Sequence, residues 1–185
     1  MNIAVLAKKG GVGKSAVSVL LHEVFRRAGK TVSIEDWDAQ GTSTKALQRL
    51  NDQSSLVKNV DIRIFDTPPN LEHIATATAV RNADIVVVVT TPAPVDIWEA
   101  EEAVQFARSK NSKAHVWIAI NKYRKRTLLG GVMEDNMKTL NAPYLPTMLT
   151  ARECYQHVFV LGWKALDSSA REEVLHFAMN LLSIK

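Results

Sequence analysis

Short apolar runs alternate along this chain with longer segments in which apolar side chains recur every three or four residues. The short runs predict β-strands over residues 2–7, 31–36, 60–65, 84–90 and 115–120. The longer segments predict helices over residues 14–28, 70–81, 96–110, 131–140 and 169–183. The fourth strand is β-branched without alternation, which is typical of a parallel strand covered on both faces. The pattern predicts an α/β fold with a doubly wound, mainly parallel sheet flanked by helices.

The junction between the first predicted strand and the first predicted helix carries the clearest chemical signal. Residues 9–15 read Lys-Gly-Gly-Val-Gly-Lys-Ser, between an apolar run and an amphipathic segment. Glycines allow successive backbone N–H groups to form a concave anion site, and the following helix adds the positive end of its dipole. We expect Lys14 to reach the β- and γ-phosphates of a nucleotide and Ser15 to ligate Mg²⁺. The predicted nucleotide-binding residues of this loop are Lys9, Gly10, Gly11, Val12, Gly13, Lys14, Ser15 and Ala16.

Acidic residues follow the second and third predicted strands at the point where each strand ends. Asp36 ends the second strand, Asp38 follows it two residues later, and Asp66 follows the third. Because the carboxyl ends of parallel strands meet at one edge of a sheet, these side chains are expected beside the glycine-rich loop. Carboxylates in that position can hold a hydrated Mg²⁺ or orient a water molecule for attack on a phosphate.

The glycine-rich loop departs from the strict phosphate-loop spacing, because Lys8 stands where that pattern has its first glycine. The run K-G-G-x-G-K-S instead resembles the deviant Walker A motif of the ParA/MinD family of ATPases. Residues 36–40, Asp-Trp-Asp-Ala-Gln, resemble the family's D-x-D-P-Q motif, with Ala39 in place of proline. Residues 66–69, Asp-Thr-Pro-Pro, resemble its D-x-P-P motif. The resemblance extends over nearly the whole chain and implies a P-loop NTPase domain of the deviant Walker A type.

The resemblance also implies roles for the matched residues. Lys9 would contact the nucleotide of a second subunit, Lys14 would bind phosphate, and Asp38 would orient the attacking water; these three are the predicted catalytic residues. Ser15, Asp36 and Asp66 would hold Mg²⁺. The implied ligands are ATP or ADP with Mg²⁺, and the implied assembly is an ATP-dependent homodimer with slow hydrolysis.

The residues after the fifth strand bear on the choice of base. Asn121 and Lys122 begin the N-K-x-D pattern by which GTPases read guanine, but the fourth position is Arg124. The guanine-reading carboxylate is therefore missing, and adenine is favoured. Asn121 is either a base contact or a turn residue that caps the strand.

Residues 51–59 and 121–130 are predicted to be polar loops or linkers, and the second of them contains a basic loop immediately after the fifth strand. The candidate DNA contacts in this loop are Lys122, Arg124, Lys125 and Arg126, and Arg152 is a further candidate later in the chain. Such a cluster suits sequence-independent contact with phosphates. A solvated run of charges is the alternative. The formal net charge of +4 permits a polyanionic partner without requiring one.

Composition limits the remaining possibilities. A chain of 185 residues predicts one domain, residues 1–185. The single cysteine permits no internal disulfide and no self-contained metal cluster, which suits a reducing compartment. Apolar runs fall short of the roughly 20 residues of a membrane span. We expect a cytoplasmic protein without a membrane partner, associated with the nucleoid when ATP is bound.

The leading hypothesis is a ParA-like ATPase that dimerises on ATP, binds DNA non-specifically and drives plasmid or chromosome partition. A ParB-like or other cargo-binding protein would stimulate its slow hydrolysis. The small, ParF-like members are the expected subgroup, since no helix-turn-helix segment precedes the first strand. The alternatives are a MinD-like or cargo-positioning ATPase acting on a membrane or protein compartment, and a small-molecule metabolic P-loop enzyme. The tail 174–185 is predicted to be a core-packing helix, which disfavours a membrane anchor.

Overall fold

The computed structural model describes residues 1–52, 59–128, 133, 137 and 142–183. Its strands form one parallel sheet with the order β2-β3-β1-β4-β5. The strands are β1 (Asn2–Leu6), β2 (Val32–Asp36), β3 (Ile62–Asp66), β4 (Ile85–Thr90) and β5 (His115–Ile120). The described helices are α1 (Lys14–Arg27), α2 (Thr42–Arg49), α3 (Ile74–Arg81), α4 (Pro94–Lys110), α5 (Cys154–Leu161) and α6 (Ser168–Leu182).

The strand order places β1 at the centre, where the chain changes direction across the sheet. The first two crossovers carry the chain to β2 and back to β3, and the next carries it past β1 to β4. Val5 of β1 is paired in register with Asp66 of β3 on one side and Val87 of β4 on the other. Ligand sites in doubly wound folds lie at the carboxyl ends of the strands at such a reversal.

Two apolar clusters cover the two faces of the sheet. On one face α1, α2, α5 and α6 pack on the odd-numbered residues of β1 and β4, such as Val5 and Val87. On the other face α3 and α4 pack on the even-numbered residues, such as Leu6 and Val88. Every residue of β4 is buried, which confirms a parallel strand covered on both faces. The doubly wound α/β fold predicted from the sequence is therefore confirmed.

The predicted strands agree with the observed ones to within two residues, but the helices agree less well. Helix α3 begins at Ile74 and not at residue 70, because the His73 side chain caps it by accepting from the Ala75 N–H. Helices α2 and α5 were missed by the hydrophobic pattern. Each has only eight residues and buries two or three side chains, too few for a periodic signal.

Parts of four predicted segments lie outside the described residues, among them residues 129–130 of the polar segment 121–130 and residues 184–185 of the tail 174–185. The predicted helix 131–140 is represented by Met133 and Met137, which are helical and fully buried. Of the polar segment predicted over 51–59, residues 53–58 lie outside the described part of the chain.

Candidate nucleotide site

The loop between β1 and α1 adopts a conformation that requires glycine. Gly11 and Gly13 have φ angles of +82° and +98°, in the left-handed region. A Cβ atom at Gly13 would lie 2.2 Å from the Asn121 side-chain nitrogen. Any larger residue at this position is therefore both strained and obstructed.

The start of α1 is arranged to receive an anion. Lys14 is its first residue and is only 7% exposed. Burial lowers the pKa of the Lys14 ammonium, while the carboxylates of Asp66 and Asp38 act in the opposite direction. Gly13 offers no side-chain cap, and the first turn of the helix carries no acidic residue. The N–H groups and the positive end of the helix dipole are available to a phosphate.

A cleft of about 910 Å³ opens over this loop. Part of its lining comes from the phosphate loop and from the segment that follows β2, namely Gly10, Gly11, Gly13, Lys14, Ser15, Ala16, Asp38, Gln40 and Thr42. Its remaining wall consists of Pro69, Asn121, Lys122, Arg124, Thr150, Ala151, Arg152, Glu153, Tyr155, Gln156 and Phe159. The predicted residues Lys9, Val12, Asp36 and Asp66 are not among the lining residues.

Asp66 and Ser15 fit the requirements of a magnesium site. Burial raises the pKa of the fully buried Asp66 to about 6, against the opposing effect of hydrogen bonds from Ser43 and Ser15. Among the described residues, no hydrogen-bond partner faces its Oδ1 atom. A buried carboxylate with a spare oxygen beside a serine hydroxyl provides the hard oxygen donors that Mg²⁺ prefers.

Asp36 has a structural function that the sequence did not reveal. Its Oδ1 accepts from the Asp38 N–H at 3.1 Å, and its Oδ2 accepts from the Thr44 N–H at 2.9 Å. The carboxylate thereby connects the end of β2 to the first turn of α2. Its proposed contact with Mg²⁺ remains a prediction.

Asp38 reaches the cleft on the turn that Asp36 supports. Its Oδ1 accepts from the Gln40 N–H at 3.0 Å, which fixes one oxygen of the carboxylate. Because Asp38 lines the same cleft as Lys14, its side chain is suitably placed to hold a water molecule near a bound phosphate.

Lys9 is directed away from the cleft. Its Nζ lies 2.9 Å from the Asp96 Oδ1 atom on the first turn of α4, and Asp96 also accepts from the Thr91 hydroxyl at 2.6 Å. The side chain of Lys9 is half-exposed. Within this single chain, Lys9 therefore contacts α4 and not the pocket that contains Lys14.

Residues after β5 support the phosphate loop from behind. The Asn121 Nδ2 donates to the Val12 carbonyl at 2.9 Å, and the Lys122 Nζ donates to the Gly11 carbonyl at 2.6 Å. Val12 itself is buried and takes part through its backbone. Asn121 directly follows β5 and lines the cleft, and its contact with a nucleotide base remains a prediction.

The basic residues considered for DNA binding differ in their surroundings. Lys122 is bonded to the phosphate loop, and Arg152 donates to Ser169 at 2.9 Å and lies 3.4 Å from Glu173. Arg124, Lys125 and Arg126 are exposed. The last three therefore remain the more suitable contacts for an external polyanion.

Several functional residues were missed in the sequence. Ser43 bonds Asp66 from α2, a helix that the hydrophobic pattern did not predict. Thr150 and Tyr155 line the cleft from a segment more than 130 residues beyond the phosphate loop. No local signal in the sequence placed Ser43, Thr150 or Tyr155 in the site.

A glycine-rich phosphate loop, a buried lysine and a buried carboxylate on the neighbouring strand define a P-loop nucleotide-binding protein. Residues 3–159 match the family model of the CobQ/CobB/MinD/ParA nucleotide binding domain. This match covers most of the chain, and the protein belongs to that family.

Two curated relatives match nearly the full length of the chain. The maintenance of carboxysome distribution protein A of Halothiobacillus neapolitanus is 22% identical over 91% of this chain and 88% of the relative. The protein of the same name from Gloeobacter kilaueensis is 29% identical over 92% of this chain and 81% of the relative.

Solved structures share the fold at low sequence identity. A plasmid partition protein from Borrelia burgdorferi B31 bound to AMPPNP has a TM-score of 0.81 at 15% identity, covering 98% of both chains. MinD of Aquifex aeolicus, solved in a MinC:MinD complex, also reaches 0.81 at 17% identity, covering 100% of this chain and 96% of the other. MinD of Pyrococcus horikoshii complexed with Mg-ADP has a TM-score of 0.73 at 14% identity, covering 96% and 93%.

In the part of the chain that the structure describes, no helix combines the length and hydropathy needed to cross a bilayer.

Proposed function

We propose that this protein is an ATPase that positions a protein compartment inside the cell. The observation that carries the proposal is the match, over more than nine-tenths of the chain, to two proteins named for maintaining carboxysome distribution. This match favours the cargo-positioning alternative over the plasmid partition that we first expected from the sequence. The identity of the compartment would depend on a partner protein that recognises it.

The residues of the cleft have the chemistry that binding and hydrolysis of ATP would require. The N–H groups of the phosphate loop and the buried ammonium of Lys14 would hold the phosphate chain. Mg²⁺, held by Ser15 and Asp66 with Asp36 as a further candidate, would neutralise charge on the phosphate oxygens. Asp38 would orient water for attack on the γ-phosphate. Asn121 and Lys122 would maintain the shape of the loop.

The position of Lys9 is suited to a contact with the nucleotide of a second subunit. Its side chain is half-exposed at the start of the phosphate loop, and within its own chain it contacts Asp96. We propose that it leaves Asp96 and contacts the nucleotide of a second copy when ATP is bound. Hydrolysis would then be slow in the isolated chain and faster in the dimer or with a stimulating partner.

DNA is the proposed surface on which the ATP-bound dimer would be retained. Arg124, Lys125 and Arg126 would supply contacts to backbone phosphates without reading sequence. In a dimer the patch would be present twice. The proposed location is therefore the cytoplasm, at the nucleoid in the ATP-bound state.

The nucleotide chemistry is tested by phosphate release from Mg-ATP. We expect Lys14→Ala to abolish ATP binding, and Asp38→Ala to retain binding but lower turnover by about a hundredfold, since general-base contributions are of that order. Phosphate release by Asp38→Ala at the wild-type rate would contradict the role of Asp38.

The cargo is tested by deleting the gene in its host and following two quantities. We expect protein compartments to become clustered in electron micrographs while plasmid loss per generation stays unchanged. Evenly spaced compartments together with increased plasmid loss would refute the positioning function and support partition.

A further inference from the structure

The carboxylate of Glu173, on α6, accepts hydrogen bonds from several residues of an earlier segment that lines the cleft. The Oε1 atom of Glu173 accepts from the Thr150 N–H at 2.7 Å and from the Tyr155 hydroxyl at 2.6 Å. Its Oε2 atom accepts from the Thr150 hydroxyl at 2.8 Å and lies 3.4 Å from an Arg152 guanidinium nitrogen. Four donors from three residues thus converge on one side chain.

All three donor residues line the nucleotide cleft, whereas Glu173 does not. Thr150 and Arg152 belong to the loop before α5, and Tyr155 lies on α5 itself. The neighbouring Ala151 N–H donates to the Tyr123 carbonyl at 2.8 Å, so the loop is also joined to the segment after β5. Glu173 therefore connects α6 to this wall, so the position of α6 affects the shape of the wall.

The chemistry of the cluster favours a rigid arrangement. The side chain of Glu173 is only 13% exposed, and Arg152 supplies an opposite charge beside it. Burial and the hydrogen bond to Glu173 raise the pKa of Tyr155, so its hydroxyl remains a proton donor throughout the physiological range. Charge-assisted hydrogen bonds of this kind are shorter and stronger than neutral ones.

The wall lies in the same cleft as the phosphate loop but consists of different residues. When phosphates occupy the loop, the rest of a nucleotide must extend along another part of the cleft. Tyr155 and Phe159 provide aromatic surface there, and Gln156 provides an amide, which are suitable contacts for a base and its ribose. The wall that contains Tyr155, Gln156 and Phe159 is thus the candidate subsite for the nucleoside.

We propose that Glu173 is a positioning residue that holds Thr150, Arg152 and Tyr155 in place for the nucleoside part of the ligand. The inference rests on the proposed nucleotide-binding function. It predicts that Glu173 affects binding of ATP but leaves binding of a bare phosphate chain unchanged, because the hydrogen bonds that Glu173 accepts come from Thr150, Arg152 and Tyr155 and not from the phosphate loop.

The test compares two ligands and two neighbouring glutamates by calorimetry. Glu173→Gln preserves size but removes the charge, and Glu172→Gln is the matched control, since Glu172 is exposed on the same helix. We expect Glu173→Gln to weaken Mg-ATP binding about tenfold and to change tripolyphosphate binding less than twofold. Glu172→Gln should leave both affinities at the wild-type value.

A second variant keeps the proposal testable if Glu173→Gln does not fold. Tyr155→Phe removes a single donor and preserves the ring, and we expect it to weaken ATP binding about threefold without affecting tripolyphosphate. Equal losses for both ligands, or unchanged ATP affinity in either folded variant, would overturn the inference. If the wild-type protein itself binds neither ligand, the nucleotide function is refuted and the inference is overturned with it.

Discussion

At the scale of single residues, the phosphate loop is held by side chains far from it in sequence. Asn121 and Lys122 donate to loop carbonyls 109 and 111 residues earlier in the chain. The amide of Asn121 occupies the space beside Gly13 that a Cβ atom would need. The loop thus depends on glycine for two separate reasons, its backbone conformation and the close approach of Asn121.

Gly13→Ala is expected to destabilise the fold by about 2 kcal/mol or more, since it adds a clash to left-handed strain. Gly29→Ala is the matched control, because Gly29 has a φ of +78° but no atom of the described residues lies within 4 Å of the position of its missing Cβ. It should cost about 1 kcal/mol. Urea unfolding measures both variants, and equal losses would contradict the proposed clash with Asn121.

The ion pair between Lys9 and Asp96 leads to a second prediction at this scale. The hydrogen bond to Asp96 and its charge raise the pKa of Lys9 while the contact lasts. When Lys9 is released it returns to the ordinary lysine value of 10.5 and remains charged at neutral pH. We expect Asp96→Asn to lower, by a few-fold, the protein concentration needed for the ATP-bound dimer, because Lys9 is held less strongly. Stability should change by no more than about 1–2 kcal/mol, because Lys9 is half-exposed while the Asp96 side chain is only 10% exposed.

Analytical ultracentrifugation with Mg-ATP would measure this dimerisation. The adjacent pair Lys8–Glu102 offers the control, since Glu102→Gln releases a neighbouring lysine in the same way. An equal effect of Glu102→Gln would attribute the change to general surface charge and contradict a specific role for Lys9.

At the scale of elements, buried polar contacts join α1 to the last helical segments. Glu23 of α1 lies against His22 and accepts from the Trp163 N–H at 2.7 Å, where the chain turns after α5. A Cβ atom at Gly162, whose φ is +55°, would come within 3.0 Å of the same carboxylate. The packing of α5 on α1 is therefore fixed by polar contacts as well as by apolar ones.

Glu23 predicts an acid-dependent loss of stability. Burial acts to raise its pKa, but the contact with His22 at 3.6 Å and the hydrogen bond from the Trp163 N–H outweigh it and hold the pKa below the ordinary value of 4.5. Because the pKa of Glu23 is lower in the folded state than in the unfolded state, its charge stabilises the fold above pH 4.5. This stabilisation is lost as the pH falls through the pKa of the folded state.

Glu23→Gln should therefore lower the free energy of unfolding by about 1–3 kcal/mol at pH 7, as for other hydrogen bonds to charged groups. The difference from wild type should shrink as the pH falls below 4.5. Urea unfolding at several pH values measures this, and a difference that does not vary with pH would refute the assignment.

The elements also show where sequence patterns are informative. The five strands could be predicted because β1, β4 and β5 contain continuous apolar runs, and because β2 and β3 place Val32, Ile34, Ile62 and Ile64 at alternate positions that are buried on the sheet. Helix α2 could not, since only Ser43, Ala46 and Leu47 are buried among its eight residues. Helix α5 is similarly short, so its position depends on contacts with α1 and α2 and not on its own periodicity.

At the scale of the whole molecule, the proposed DNA surface depends on charges at the carboxyl end of the sheet. Arg124, Lys125 and Arg126 follow β5 on the side where the nucleotide cleft opens. Their proximity to the cleft offers a physical basis for nucleotide-dependent DNA binding, because dimerisation around the nucleotide would bring two such loops together.

Replacing Arg124, Lys125 and Arg126 by glutamine should abolish ATP-dependent binding to random-sequence duplex DNA at moderate salt. If residual binding remains, its dependence on log salt should be shallower by about three per loop, as expected for lost phosphate contacts. Lys110→Gln with Lys113→Gln is the control, because these cations lie before β5, at the opposite end of the strand. Fluorescence anisotropy across salt concentrations measures both, and equal binding by the two variants would contradict the proposed surface.

The sequence alone determined the parallel sheet, the phosphate loop and the carboxylates at the ends of β2 and β3. These features depend on local patterns, namely apolar runs, glycine spacing and strand-terminal acids. The tertiary structure decided that Lys9 contacts Asp96, that Asn121 and Lys122 support the loop, and that Glu173 holds part of the cleft wall. Each of these contacts joins segments distant in sequence, so it follows from the strand order and the packing of helices, which no local pattern specifies.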